Sequence, residues 1–168
     1  QAWQATTATD ELSGPVYIRL GGRIAEPPVT GQESAFQVGE AQLLREGTDI
    51  TIIACGCMVT VALTVAKDLK GCGVSTRVLN MHTIKPLDET AILLSASETR
   101  RIVTAEEHRV TGGLGGAVAE LLSQRLPTPM RLVGMPDKFA IVGPTHKVRE
   151  HYGMDADGIS DACLDLVE

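Results

Sequence analysis

Residues 50–54 read ITIIA and residues 58–71 read MVTVALTVAKDLKG, with CGC between them. The first run is apolar and mostly β-branched, as a strand buried on both faces requires. In the second, apolar residues fall at 58, 62, 65, 66 and 69. That is helical spacing, and Gly71 and Gly73 end it. A buried strand turning directly into an amphipathic helix is half of a crossover unit, so this stretch predicts an α/β fold.

The chain repeats the unit downstream. Residues 75–80 read as the next strand, and Pro86, Asp88 and Glu89 set a helix start near Leu87. RIVTA at 101–105 is a third strand. A turn through Gly112-Gly113 leads to a helix with apolar positions at 114, 117, 118, 121 and 122. The last strand is 130–133. Two short helices follow, the first ended by Tyr152-Gly153, the second carrying Ile159, Ala162, Cys163 and Leu166 on one stripe. Right-handed crossovers then give four parallel strands between helices. A further strand at 40–45 precedes a short turn, not a helix, so it runs antiparallel at an edge or in a hairpin. The predicted fold is a three-layer α/β/α domain with a mixed, mostly parallel five-stranded sheet and one antiparallel edge strand.

The front of the chain is different. Residues 1–12 read as the end of a helix, Gly14-Pro15 breaks it, and VYIRL at 16–20 reads as a strand. Gly21-Gly22, Pro27-Pro28 and Gly31 then fall in a stretch without apolar periodicity, the mark of a linker. One helix and one strand cannot make a core. They belong to something larger.

Composition narrows the function. A formal net charge of -6 over 168 residues, with no basic cluster, argues against nucleic acid and membrane surfaces as partners. No apolar run approaches the ~18 residues that span a bilayer. The first residue is Gln1 and no signal pattern follows it, so the N-terminus reads as a cut. Cys55, Cys57, Cys72 and Cys163 have no second pair at zinc spacing, which favours reduced thiols in a cytoplasmic protein over a metal site.

The strand-end loops are where an open α/β sheet binds ligands. CGCM at 55–58 lacks the lysine and glycines of a phosphate loop and reads as a packing turn. AEEHRVTGGLGG at 105–116 is more suggestive. A glycine-rich turn opening a helix offers N–H groups to an anion, yet Glu106 and Glu107 would repel one and the spacing misses GxGxxG. His108 beside two carboxylates suits general acid–base work, an ion pair or a loop-fixing hydrogen bond, and structure outweighs catalysis. Glu107, His108, Gly112 and Gly113 are thus candidates for an interface or for fixing the loop. His146 and His151, five apart on a helix, do not share a face, and Lys85 after His82 has a solvated lysine as its simplest reading. Nothing assembles a catalytic, metal or cofactor site from this chain's own parts.

Three stretches together resemble a family. FQVGEAQLLREGTDITIIACGC at 36–57, RVLNMHTIKPLD at 77–88, and IVTAEEHRVTGGLGG at 102–116 with MPDKF at 135–139 are similar to the C-terminal domain of transketolases and their relatives. TIKPLD and AEEH look most like transketolase, especially the kind split into N- and C-terminal sections. MPD is also similar to 1-deoxyxylulose-5-phosphate synthase, and 2-oxo-acid dehydrogenase β subunits are further relatives. The resemblance implies a thiamine-diphosphate- and Mg2+-dependent transferase of the pentose phosphate pathway, moving two-carbon ketol units between sugar phosphates. The cofactor would lie in domains outside this chain, and none in it. Residues 1–23 would be the end of the pyrimidine-binding domain, 24–35 the linker, and 36–168 the C-terminal domain. That domain would support the enzyme and help it dimerise, with the N-terminal part and a second protomer as partners. By the same resemblance Arg23 is the arginine that grips the sugar phosphate, its donors matching phosphate oxygens in pairs; Arg19 is the competitor. The chain alone is expected to be inactive. Two other readings stand beside this one, a stand-alone interaction or regulatory domain and a small-ligand-binding domain.

Overall fold

A computed structural model describes residues 1–21, 29 and 36–168. In chain order the elements are α1 (Ala2–Thr9), β1 (Gln42–Arg45), β2 (Ile50–Ala54), α2 (Met58–Gly71), β3 (Thr76–Asn80), α3 (Glu89–Thr99), β4 (Ile102–Arg109), α4 (Leu114–Arg125), β5 (Met130–Met135), α5 (Thr145–His151) and α6 (Ala156–Val167). The five strands form one sheet in the order β1-β3-β2-β4-β5. β2 pairs in parallel with β3 and with β4, and β4 with β5. β1 pairs antiparallel with β3 at the edge. This is the sheet the sequence predicts.

All five residues of β2 are buried, because both faces of the sheet are covered. Ile50, Ile52 and Ala54 face α2 and α6, packing with Val78, Val103, Ala62, Ala66, Ile159 and Cys163. Ile53 faces the other way, toward Ile92, Leu114, Val118 and Leu122 of α3 and α4. Each such isoleucine contributes about 1.5–3 kcal/mol gross. Thr51, on a fully buried strand, is satisfied by the Thr99 hydroxyl at 2.8 Å.

β1 is secured from the side. Asp88 caps α3 through Oδ1, which accepts from the Ala91 N–H, while its Oδ2 accepts from the Ala41 N–H at 2.7 Å. The helix therefore starts at Glu89, two residues beyond the predicted Leu87, because the capping carboxylate and not Pro86 sets the boundary. The loop from β1 to β2 presses on β3 at Gly47, where a Cβ would collide with the Thr76–Arg77 backbone.

Two expectations are corrected. Residues 16–20 form no strand, and Tyr17 is 88% exposed. A strand needs a neighbour for its N–H and C=O groups, and none of the described strands pairs with it. β4 does not stop at Ala105 but runs to Arg109, where Arg109 pairs with Met135 after a break in register. Glu106, Glu107 and His108, read from sequence as part of a glycine-rich turn, are strand residues. α1 buries no residue. The linker expected at 24–35 lies outside the described residues except for Val29, which packs against the α2/α6 side of the core.

Candidate functional site at the carboxyl ends of the parallel strands

From β2 the chain crosses to β3 on one side and then returns to β4 on the other. The switch point between β2 and β4 is the position at which such a sheet opens a ligand crevice. Here that position is filled by the protein itself.

Strand alternation sends the paired carboxylates Glu106 and Glu107 to opposite faces. Glu106 is 1% exposed. Its Oε2 accepts from the Leu114 N–H and its Oε1 from the Gly115 N–H, each at 2.8 Å. The helix N-terminus that offered itself to an anion is thus occupied by an internal carboxylate. Gly113 allows this approach, since a Cβ there would strike the Glu106 carboxylate and the Arg109 carbonyl. Gly112 takes φ +75°, the left-handed turn that glycine favours.

Glu107 turns to the α2 face. The Arg149 Nε donates to its Oε1 at 2.9 Å, and the Cys57 thiol donates to its Oε2 at 3.4 Å. Arg149 Nη2 also reaches the Cys57 sulfur at 3.1 Å. A carboxylate from β4, a thiol from the N-cap of α2 and a guanidinium from α5 thereby close into a ring. Burial acts to raise Glu107, but hydrogen bonds from Arg149 and Cys57 and the charges of Arg149 and Arg19 outweigh it and hold the carboxyl below its usual range. Arg19 also acts on Cys55, whose thiol burial pushes up to about 12. The segment holding Arg19 therefore runs near the switch point.

His108 sits beyond these groups, half exposed, its Nδ1 3.0 Å from the Arg109 carbonyl and 3.8 Å from Glu106 Oε2. This ties the ring to its own strand end and gives it no carboxylate–imidazole relay at hydrogen-bond distance. His82, at the end of β3, stacks on Phe36 with centroids 4.2 Å apart, and its Nδ1 meets the Thr83 hydroxyl at 3.0 Å. Burial lowers its pKa. Arg23 lies outside the described residues.

Sequence reasoning brought forward Glu107, His108, Gly112 and Gly113; the fold sends Glu107 to the α2 face with Cys57 and Arg149, while Gly113 and His108 lie beside Glu106 and Arg109. That reasoning missed Arg149 and Cys57, and it took Glu106 as a group that repels an anion when it is the anion. The doublet Glu106-Glu107 carried the signal: continued as a strand, it must split its charges between two faces. A diphosphate does not fit the α4 N-terminus, since Glu106 already takes its N–H groups. Among the described residues no three His, Cys, Asp or Glu side chains gather as a metal site. A concavity of about 660 Å³ lined by Arg45, Lys67, Lys70 and Ser75 lies at the opposite end of the sheet, beside the C-terminus of α2.

Comparison with known proteins shows the family. The family model described as "Transketolase, C-terminal domain" matches residues 39–159. The chain belongs to the transketolase C-terminal domain family. It is 47% identical over 155 residues to a 6-deoxy-6-sulfo-D-fructose transketolase subunit of Clostridium sp. (strain MSTE9), covering 92% of this chain and 48% of that protein. It is 44% identical to an apulose-4-phosphate transketolase subunit of Phocaeicola vulgatus, covering 92% of this chain and 49% of that protein. A 1-deoxy-D-xylulose-5-phosphate synthase of Heliobacterium modesticaldum is 35% identical, with 25% of its length covered. Among solved structures, a chain described as "Split gene transketolase, inactive beta4 tetramer" superposes with a TM-score of 0.91 at 40% identity, covering 98% of this chain and 54% of that one. The chain thus spans about half the length of the transketolase subunits it matches, or less.

Proposed function

We propose that this chain is the C-terminal part of a thiamine-diphosphate-dependent transketolase, a support and assembly domain for a reaction carried out elsewhere in the complete protein. The observation that carries this reading is Glu106. A family domain whose ligand-ready helix N-terminus is sealed by its own carboxylate has no place there for the cofactor's diphosphate. Thiamine diphosphate and Mg2+ then belong to other domains, which supply the carbanion chemistry. The domain boundaries proposed are 1–23 for the end of the pyrimidine-binding domain, 24–35 for the linker and 36–168 for the C-terminal domain.

Two transketolase subunits among the relatives take a sulfonated fructose and a phosphorylated apulose. Their shared chemistry is a ketose with a terminal anion, and Arg23 is the residue assigned to grip it. The higher identity to these subunits favours ketol transfer over the synthase reaction. A partner carrying the N-terminal domains is expected, together with self-association like that of the β4 neighbour. The four cysteines form no disulfide, which fits a cytoplasmic setting, and no helix among the described residues is long and apolar enough to cross a membrane.

The test is ketol transfer by the complete protein against this chain alone. Activity in the complete protein and none in the chain supports the reading; transfer by the isolated chain overturns it. Within the complete protein, Arg23→Ala should raise KM for phosphorylated donors about tenfold or more while leaving unphosphorylated ones unchanged. Equal loss for both would remove Arg23 from the substrate site.

A further inference from the structure

The ring around Cys57 has the parts of a reactive thiol. A thiol becomes a strong nucleophile when a base takes its proton and a third group fixes that base. Glu107 Oε2 accepts from the Cys57 thiol at 3.4 Å, and Arg149 Nε holds the other carboxylate oxygen at 2.9 Å. Arg149 Nη2 also faces the sulfur at 3.1 Å, where it meets the negative charge that grows as the proton leaves. Cys57 is besides the N-cap of the 14-residue α2, at the positive end of that helix. A packing thiol is placed differently. Cys163 is buried, and burial alone pushes it up to about 12. Cys57 stays partly exposed, within reach of a small reagent. Nor does it stand alone, since Cys55 lies two residues before it, at the other end of the same turn.

We propose that Cys57 is a site of reversible oxidation by peroxides, with Glu107 as its base and Arg149 positioning both. The sulfur attacks one peroxide oxygen and the O–O bond breaks. Cys57 gains that oxygen as a sulfenic acid, giving two electrons to the peroxide. The thiol proton passes by way of Glu107 to the departing hydroxide, which leaves as water. Two reducing thiols restore Cys57: the first forms a mixed disulfide and releases water, and the second displaces the first. The site does not rest on the ketol-transfer reading.

The test uses hydrogen peroxide at about pH 6, where a free thiol with its pKa at about 8.5 is almost wholly protonated and slow. It is run on the complete protein, with every domain around Cys57 in place. Dimedone traps the sulfenic acid, and peptide mass spectrometry then reads Cys57 directly. Cys57 should react at least about tenfold faster than free cysteine, and a reducing agent added before the trap should abolish the adduct. A Cys55–Cys57 disulfide found in its place supports the proposal equally, since a sulfenic acid and a neighbouring thiol give that bond and water. Glu107→Gln, nearly identical in shape, should slow the reaction about tenfold. Arg149→Met should slow it too, and Arg149→Lys, which keeps the charge, should slow it less. Cys57 no faster than free cysteine would overturn the proposal. So would a rate that Glu107→Gln leaves unchanged or raises, which would make the ring a structural tie alone.

Discussion

Glu106 is a buried carboxylate with both oxygens committed to backbone N–H groups, so its removal leaves two donors facing an emptied space. Glu106→Ala should cost about 2–4 kcal/mol, read as a lower denaturation midpoint. Glu106→Gln keeps one acceptor and should cost less. Equal loss in the two variants would mean that packing, not the capping bonds, holds α4. His82 gives a pH signature. Its folded pKa lies below the ordinary 6.5 because it is buried. The unfolded chain then binds a proton that the folded chain refuses. Its contribution is intact above about 6.5 and declines as pH falls through that value and through the folded pKa. Melting temperature should drop from about pH 7.5 to about pH 5.5, and His82→Phe should flatten part of the slope. An unchanged slope would take His82 out of that dependence.

Among the elements, the Glu107–Arg149–Cys57 ring ties β4, α5 and the cap of α2 together. A double-mutant cycle with Glu107→Gln and Arg149→Met should give a coupling of about 1 kcal/mol at neutral pH, modest because both side chains remain partly exposed. With the Glu107 pKa depressed, that coupling is present above the ordinary carboxylate value and is lost as pH falls through the folded pKa. A pH-independent coupling would contradict the ionic assignment. The regular elements were legible because a strand such as ITIIA admits burial on both faces and little else, and because the helices keep their apolar stripes. What was not legible turned on distant partners. Val16–Leu20 has strand composition, but composition does not supply a neighbour to pair with. β4 overruns its apolar run because Glu106 and Glu107 each find a partner, at Leu114 and Gly115 in one case and at Arg149 in the other. Arg149 lies 42 residues from Glu107, and no local pattern joins them.

At the scale of the whole molecule, the sheet is an open, mostly parallel one with helices on both faces, and the switch-point ends of its strands are closed by its own side chains. The family could be read in the motifs at 36–57, 77–88 and 102–116, whereas the closure of the site could not. On this reading the domain serves the thiamine enzyme without holding its cofactor. Calorimetric titration of thiamine diphosphate and Mg2+ into the isolated chain tests that most directly. No saturable heat is expected, and binding at micromolar concentration would contradict the assignment.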